Sequence, residues 1–204
     1  MNAPSYPRGR RIVLFLIVAA VGTALDLGTK EWMFRQQGLR DLQTWWVIPE
    51  IAGFQLTFNE GAIWGIGQGK VWLFATLSVL FAIAIPVWLF YFGAAADRVL
   101  TLLLGCVMAG VLGNLYDRLG LHGDTWFYHP DRLGEPAYAV RDWILVQWDD
   151  QLRWPNFNIA DAFLVVSAII LAVKTVFEKP EQEADDASQE TSSAEPVKTN
   201  SASD

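Results

Sequence analysis

Four long apolar blocks constrain this chain more than any other feature. They lie at about residues 12–34, 71–92, 99–117 and 158–177. The first is unbroken to Leu25 and runs on past Asp26 to Phe34. The second is interrupted only by Ser, Thr and Pro86, and the fourth carries Asp161 near its start and Lys174 near its end. A helix needs ~20 residues to cross ~30 Å of hydrocarbon. Lipid offers the backbone no hydrogen-bond partners, so such blocks are predicted to be helices. Apolar residues are 52% of the sequence, and they are clumped rather than spaced as a soluble core requires. The expected fold is an all-α membrane protein of four transmembrane helices. The 204 residues suit one domain, placed here at residues 1–179. Residues 180–204 are rich in Glu, Asp, Ser and Ala, and no aromatic follows Phe177. Such a segment buries too little to offset its ordering entropy, and it is expected to be a disordered acidic cytoplasmic tail. It supplies much of the net charge of −7. No basic stripe points to nucleic acid. The single cysteine, Cys106, sits inside an apolar run and is read as a packing residue.

Arg8, Arg10 and Arg11 precede the first block, which admits a second reading as a cleaved signal peptide ending near Ala24. Against that, helix-compatible sequence continues through Lys30 to Phe34. The same arginines favour a cytoplasmic N-terminus. Four spans then place both termini inside and residues 35–70 and 118–155 outside. Trp32, Trp45, Trp46, Trp64 and Trp72 flank the first outer segment, and Trp126, Trp143, Trp148 and Trp154 lie in the second. Amphipathic rings settle at headgroup level. Phe54-Gln55-Leu56-Thr57-Phe58 alternates as a half-buried strand does, and Trp143-Ile144-Leu145-Val146 does so less clearly. A small β-containing platform on the outer face is therefore expected.

Charges inside spans are costly and need a reason. Asp26 and Lys30 are four residues apart on one helix face. Helical rise places Asp26 ~21 Å from Ile12, toward the outer side. They are either an ion pair locking the first helix into the bundle or part of a polar cavity. Asn114, Asp117 and Arg118 end the third block, about 28 Å of helix beyond Arg98. Alone, they would read as an ordinary helix end with a snorkelling arginine. Asn158 fits an N-cap for the fourth helix and puts Asp161 in its first turn, where the helix dipole favours a carboxylate. Each reading is bland alone. Three helices nevertheless bring polar groups to one depth.

The chemistry narrows by elimination. His122 and His129 are the only histidines, and both lie in the second outer segment. There is no nucleophile elbow and no His-Glu-x-x-His, so serine hydrolysis and zinc peptidase chemistry are unsupported, and no metal or cofactor is expected. Cys106 has no histidine near it in the sequence. Paired carboxylates remain: one ionised to take a proton from water, the other protonated to polarise a carbonyl.

Five motifs in order resemble those of the signal peptidase II family, bacterial prolipoprotein aspartic endopeptidases. They are Asp26-Leu27-Gly28-Thr29-Lys30, Phe58-Asn59-Glu60-Gly61-Ala62, Gly113-Asn114-Leu115-Tyr116-Asp117-Arg118-Leu119, Val140-Arg141-Asp142-Trp143 and Phe157-Asn158-Ile159-Ala160-Asp161. The resemblance spans Asp26 to Asp161. It implies cleavage of diacylglyceryl-modified prolipoproteins just before the lipidated cysteine, in the bacterial cytoplasmic membrane, by a monomer working in membrane lipid. It implies that Asp142 and Asp161 are the catalytic pair. Asn59, Gly61, Asn114, Arg118 and Asn158 would shape the pocket and orient the pair, with Asp26, Lys30, Asp117 and Ala160 in support. Three features depart from the family pattern. Trp143 stands where Phe is usual, Ile63-Trp64 replaces a smaller pair, and residues 120–139 are longer than usual. That last segment is read as a surface insertion in preference to a lid. Two other classes are weighed against the peptidase. A proton-coupled transporter would spread Asp26, Lys30 and Asp161 through the membrane depth and show an inverted repeat. A non-catalytic lipoprotein chaperone would tolerate loss of the aspartates.

Overall fold

The computed structural model describes residues 7–62, 66–149 and 152–177. In chain order the main elements are α1 (Arg8–Phe34), the single turn α2 (Gln37–Arg40), β1 (Trp45–Ile48), β2 (Ala52–Asn59), α3 (Val71–Pro86), α4 (Arg98–Arg118), β3 (Val140–Gln147), β4 (Arg153–Phe157) and α5 (Ile159–Phe177). α1, α4 and α5, with α3 continued to Tyr91, are long and apolar enough to cross a membrane. The chain divides into a unit through Ala168 and a second from Ile169, whose described residues, 169–177, are the last turns of α5. The acidic tail at 180–204 and the Ile63-Trp64 pair lie outside the described residues.

The helices end where their chemistry says they should. Pro86 has no N–H to donate, and the helix widens just beyond it, over Val87–Tyr91. The Phe92 N–H reaches back five residues to the Val87 carbonyl at 3.3 Å. Asp97 caps α4, its side chain accepting from the Leu100 N–H at 3.1 Å. α4 is the central helix. It buries Thr101, Leu104, Met108, Asn114 and Asp117 among others, and both α1 and α3 pack on it. The outward faces of α1 and α3 expose Leu16, Ile17, Val21, Leu80 and Ile83, as lipid-facing helices do.

Small residues let the helices approach closely, the usual device of membrane bundles. A Cβ at Gly110 would lie 2.6 Å from the Ala160 carbonyl, and one at Gly113 would overlap Asp26 Oδ2. Gly113→Ala is expected to destabilise the fold by about 1–3 kcal/mol through overpacking. It should appear as a lowered Tm in detergent with a matching loss of activity.

Between the spans lies an antiparallel sheet in the order β1-β2-β3-β4. The strand-like stretches at 54–58 and 143–146 fall in β2 and β3. Their register pairs Thr57 with Asp142, Phe58 with Arg141 and Asn59 with Val140. β1 is exposed along its length, Trp45 and Trp46 included. Residues 120–139 do not behave as a surface insertion. Trp126 is 3% exposed, and Ala137 and Ala139 are buried. All three join Phe34, Leu39, Leu56, Phe58 and Trp143 in one apolar cluster. The Gly and Pro of this segment make it loop-like, but its aromatic run supplies core.

Candidate active site

α5 starts at a reciprocal cap. Asn158 Oδ1 accepts from the Asp161 N–H at 2.9 Å, and Asp161 Oδ2 accepts from the Asn158 N–H at 3.3 Å. This is the logic of a capping box, with Asn and Asp in its two places. The cap leaves Asp161 Oδ1 free to accept from Asn114 Nδ2 of α4 at 2.8 Å. Asp142 arrives from β3 and is 1% exposed. It accepts from Asn158 Nδ2 at 2.6 Å and from Asn59 Nδ2 of β2 at 3.2 Å. Asn158 therefore touches both carboxylates, and its amide fixes one against the other.

A buried ion cluster sets the orientation of Asn114. Lys30 Nζ lies 2.7 Å from Asp26 Oδ2 and 3.1 Å from Asp117 Oδ2, all three side chains fully buried. It also donates to Asn114 Oδ1 at 3.0 Å, as does Asn158 Nδ2 at 3.2 Å. With two donors on its oxygen, the Asn114 amide must turn its nitrogen toward Asp161. Asp26 Oδ1 accepts from the Ala160 N–H at 2.9 Å, tying α1 to the N-terminus of α5. Asp117 accepts from the Arg141 N–H at 3.0 Å and from its guanidinium at 3.1 Å, tying α4 to β3 beside Asp142. Of the two readings of Asp26 and Lys30, the ion pair locking the helices is the one these contacts fit. Neither residue lines the neighbouring apolar cavity, and Lys30 also orients a group at the carboxylates.

An apolar cavity of about 590 Å³ opens beside this network. Phe74, Leu77, Phe81, Val111, Leu164 and Val165 line it, and Asn59, Gly61, Asn114, Arg118 and Asp161 are at its polar part. Arg118 Nη2 donates to the Gly61 carbonyl at 3.0 Å, and the Gly61 N–H donates to Asn59 Oδ1 at 2.9 Å. Asp161 lines the cavity. Asp142 does not; it is bonded to Asn59, which lines the cavity, and to the buried Asn158.

Burial first, and then the nearby Asp161 carboxylate, pushes the Asp142 carboxyl well above the usual carboxylate range, with Lys30, Asn59 and Asn158 pulling the other way. A raised value favours the pair's holding a proton. The groups facing Asp142 are Asp161 from α5, Lys30 from α1, Arg118 from α4 and Tyr128 from the 120–139 segment. The Asn59 bond favours the ionised form of Asp142, so removing it raises that carboxyl further. Asn59→Ala is thus expected to slow turnover by about tenfold to a hundredfold. It should also move the alkaline limb of the kcat–pH profile to higher pH, because the proton is then held more tightly.

The structure brings all eleven residues singled out from the sequence into this one region. It adds three more. Arg141 is 1% exposed and reaches Glu31 at 3.1 Å and Asp124 at 3.3 Å in addition to Asp117. Burial raises the Asp124 carboxyl, but His122, Arg141 and Arg40 outweigh it and hold the group below its ordinary value. An arginine beside Asp142 in the fourth motif was the available signal. His122 is also placed: its Nδ1 accepts from the Asp124 N–H at 2.9 Å, and its ring stacks on Phe58.

A multi-pass bundle with one carboxylate lining an apolar cavity and a second buried beside it through a shared asparagine fits a membrane-embedded aspartic peptidase, and known proteins agree with that class. A family model described as signal peptidase (SPase) II matches residues 18–177. A lipoprotein signal peptidase of Rhodopirellula baltica is 46% identical over 166 residues, 81% of this chain and 72% of that protein. One from Pseudomonas syringae pv. tomato is 34% identical over 169 residues, 81% of this chain and 86% of that protein. In three dimensions, a bacterial membrane enzyme solved in meso at 2.3 Å superposes with a TM-score of 0.62 at 22% identity, covering 98% of this chain and all of that one. That last likeness speaks for the fold alone. The chain belongs to the signal peptidase II family.

Proposed function

We propose that this chain removes signal peptides from diacylglyceryl-modified prolipoproteins, cutting just before the lipidated cysteine with water activated between Asp142 and Asp161. The observation that carries this reading is Asn158, whose side chain bonds to Asp142 and caps the N–H of Asp161. In the reaction the pair holds one proton. The ionised carboxylate takes a proton from water, and the protonated one polarises the scissile carbonyl and then protonates the departing nitrogen. Asn59, Asn114 and Asn158 hold the carboxylates in place through the step. The Lys30 cluster anchors Asn114 from behind.

The cavity supports a diacyl requirement. Its walls are Phe, Leu and Val, and two acyl chains lying there would bring the adjoining peptide bond to Asp161. Asp142 must then be uncovered by the incoming substrate. On this reading both termini are cytoplasmic and the carboxylates lie toward the outer face of the bacterial cytoplasmic membrane, an orientation that the N-terminal arginines favour. The peptidase works as a monomer on this reading, with membrane lipid around the four-span domain of residues 1–179.

The test is cleavage by purified protein of one prolipoprotein in two forms, diacylglyceryl-modified and unmodified. The expected product from the modified form begins at the lipidated cysteine by intact mass, and the unmodified form stays whole. Equal cleavage of both forms would show that the cavity does not select lipid.

A further inference from the structure

Residues 120–139 contribute core, but their polar contacts fall on one short stretch of β2. The Phe58 N–H donates to the Tyr128 hydroxyl at 2.7 Å, and that hydroxyl lies 3.4 Å from the Phe58 carbonyl, to which it donates in turn. β1 covers β2 only as far as Phe54. At Phe58 a phenol therefore serves the strand edge as a neighbouring peptide would. Two residues on, Arg132 Nη2 pairs with Glu60 Oε1 at 3.0 Å. The Arg132 guanidinium is held 4.1 Å over the Trp126 ring, and Trp126 is buried among the core aromatics. Between the two grips lies Asn59, whose amide meets Asp142 at 3.2 Å.

We propose that Tyr128 and Arg132 form a clamp that fixes Asn59 against the Asp142 carboxyl, and so are positioning residues for cleavage. The proposal rests on the reading of Asp142 as one of the catalytic pair. Both grips act on the chain either side of Asn59, and neither residue hydrogen-bonds or ion-pairs with a carboxylate of the pair. A misplacement of about 1 Å at a reacting group can cost a hundredfold in rate. The Asn59 contact is at the long end of the hydrogen-bond range, where small shifts of the strand matter most. Burial pushes the Tyr128 phenol above its ordinary value, so it stays a neutral donor and acceptor across the working pH range.

Tyr128→Phe removes the hydroxyl and keeps the ring that packs against Phe58, Trp126 and Phe127. The expected result is a fall in kcat of about tenfold with KM within about twofold. The alkaline limb of its pH profile should move up, in the direction given by Asn59→Ala. Arg132→Gln should lose about threefold in kcat in the same way. The decisive arm repeats both changes in the Asn59→Ala background, where they should have no further effect on kcat. Equal losses in both backgrounds would overturn the clamp, and so would an unchanged kcat and pH limb in the two single variants. If Tyr128→Phe fails to fold, the partly exposed Arg132 carries the same comparison. The dyad reading fails separately: Asp142→Asn would then keep cleaving, whereas a failed clamp leaves Asp142→Asn inert and the Tyr128 and Arg132 variants normal.

Discussion

Replacing either carboxyl, Asp142→Asn or Asp161→Asn, is expected to lower cleavage of a diacylglyceryl-modified prolipoprotein by about a thousandfold or more. Loss of a positioned acid or base costs about 10²–10⁴, and each change here removes one of two groups that work on the same proton. An amide in place of Asp161 keeps the helix start, because Asn can accept from the Asn158 N–H as Asp does. The Asp161→Asn protein should therefore fold, keep its Tm within a few degrees and still bind lipidated substrate. KM would stay close to wild type while kcat collapses, as when an interaction made only in the transition state is lost. A rise in KM with kcat preserved would leave Asp161 a binding role only.

The second large effect is on folding. Lys30→Met should cost about 3–5 kcal/mol, the usual consequence of removing one partner from a buried ion group. Lys30, Asp26 and Asp117 are all fully buried. Without the ammonium, two fully buried carboxylates are left facing each other across α1 and α4. The same change frees the oxygen of Asn114, which then has only Asn158 to hold its orientation. Thermal unfolding in detergent should show the loss of stability. The remaining folded fraction should also turn over more slowly, because Asn114 no longer presents its nitrogen reliably to Asp161. An unchanged Tm with normal turnover would mean that the cluster is not what joins α1 to α4.

The four spans were legible because their signal is local: about 20 apolar residues in a row have one physical outcome in lipid. Boundaries moved by up to four residues, as where α1 starts at Arg8 rather than near residue 12, while Asn158 caps α5 as its sequence context implies. Asp161 was legible as a helix-start carboxylate, and the structure shows that it does cap. Its second role depends on Asn114, 47 residues away, which no local pattern reports. Asp142 was harder still. Spacing alone does not separate it from Asp124, Asp131, Asp149 or Asp150, and only the motif resemblance singles it out. What places it is the pairing of β3 with β2, a contact between segments more than eighty residues apart. Arg141 was passed over for the same reason, since its partners Glu31, Asp117 and Asp124 come from three different segments. In residues 120–139 composition and residue order point different ways. Gly and Pro there suggested a loop, while Trp126, Phe127 and Tyr128 in a row were the sign of buried area.

One measurement bears most directly on the central claim that Asp142 and Asp161 act as a unit. It is kcat/KM on a single diacylglyceryl-modified prolipoprotein for wild type, Asp142→Asn, Asp161→Asn and the double variant. A pair sharing one proton predicts that the double variant is no slower than the slower single one, because the first loss already disables the step. Losses that multiply in the double variant, or a single variant that keeps near-normal activity, would contradict the account.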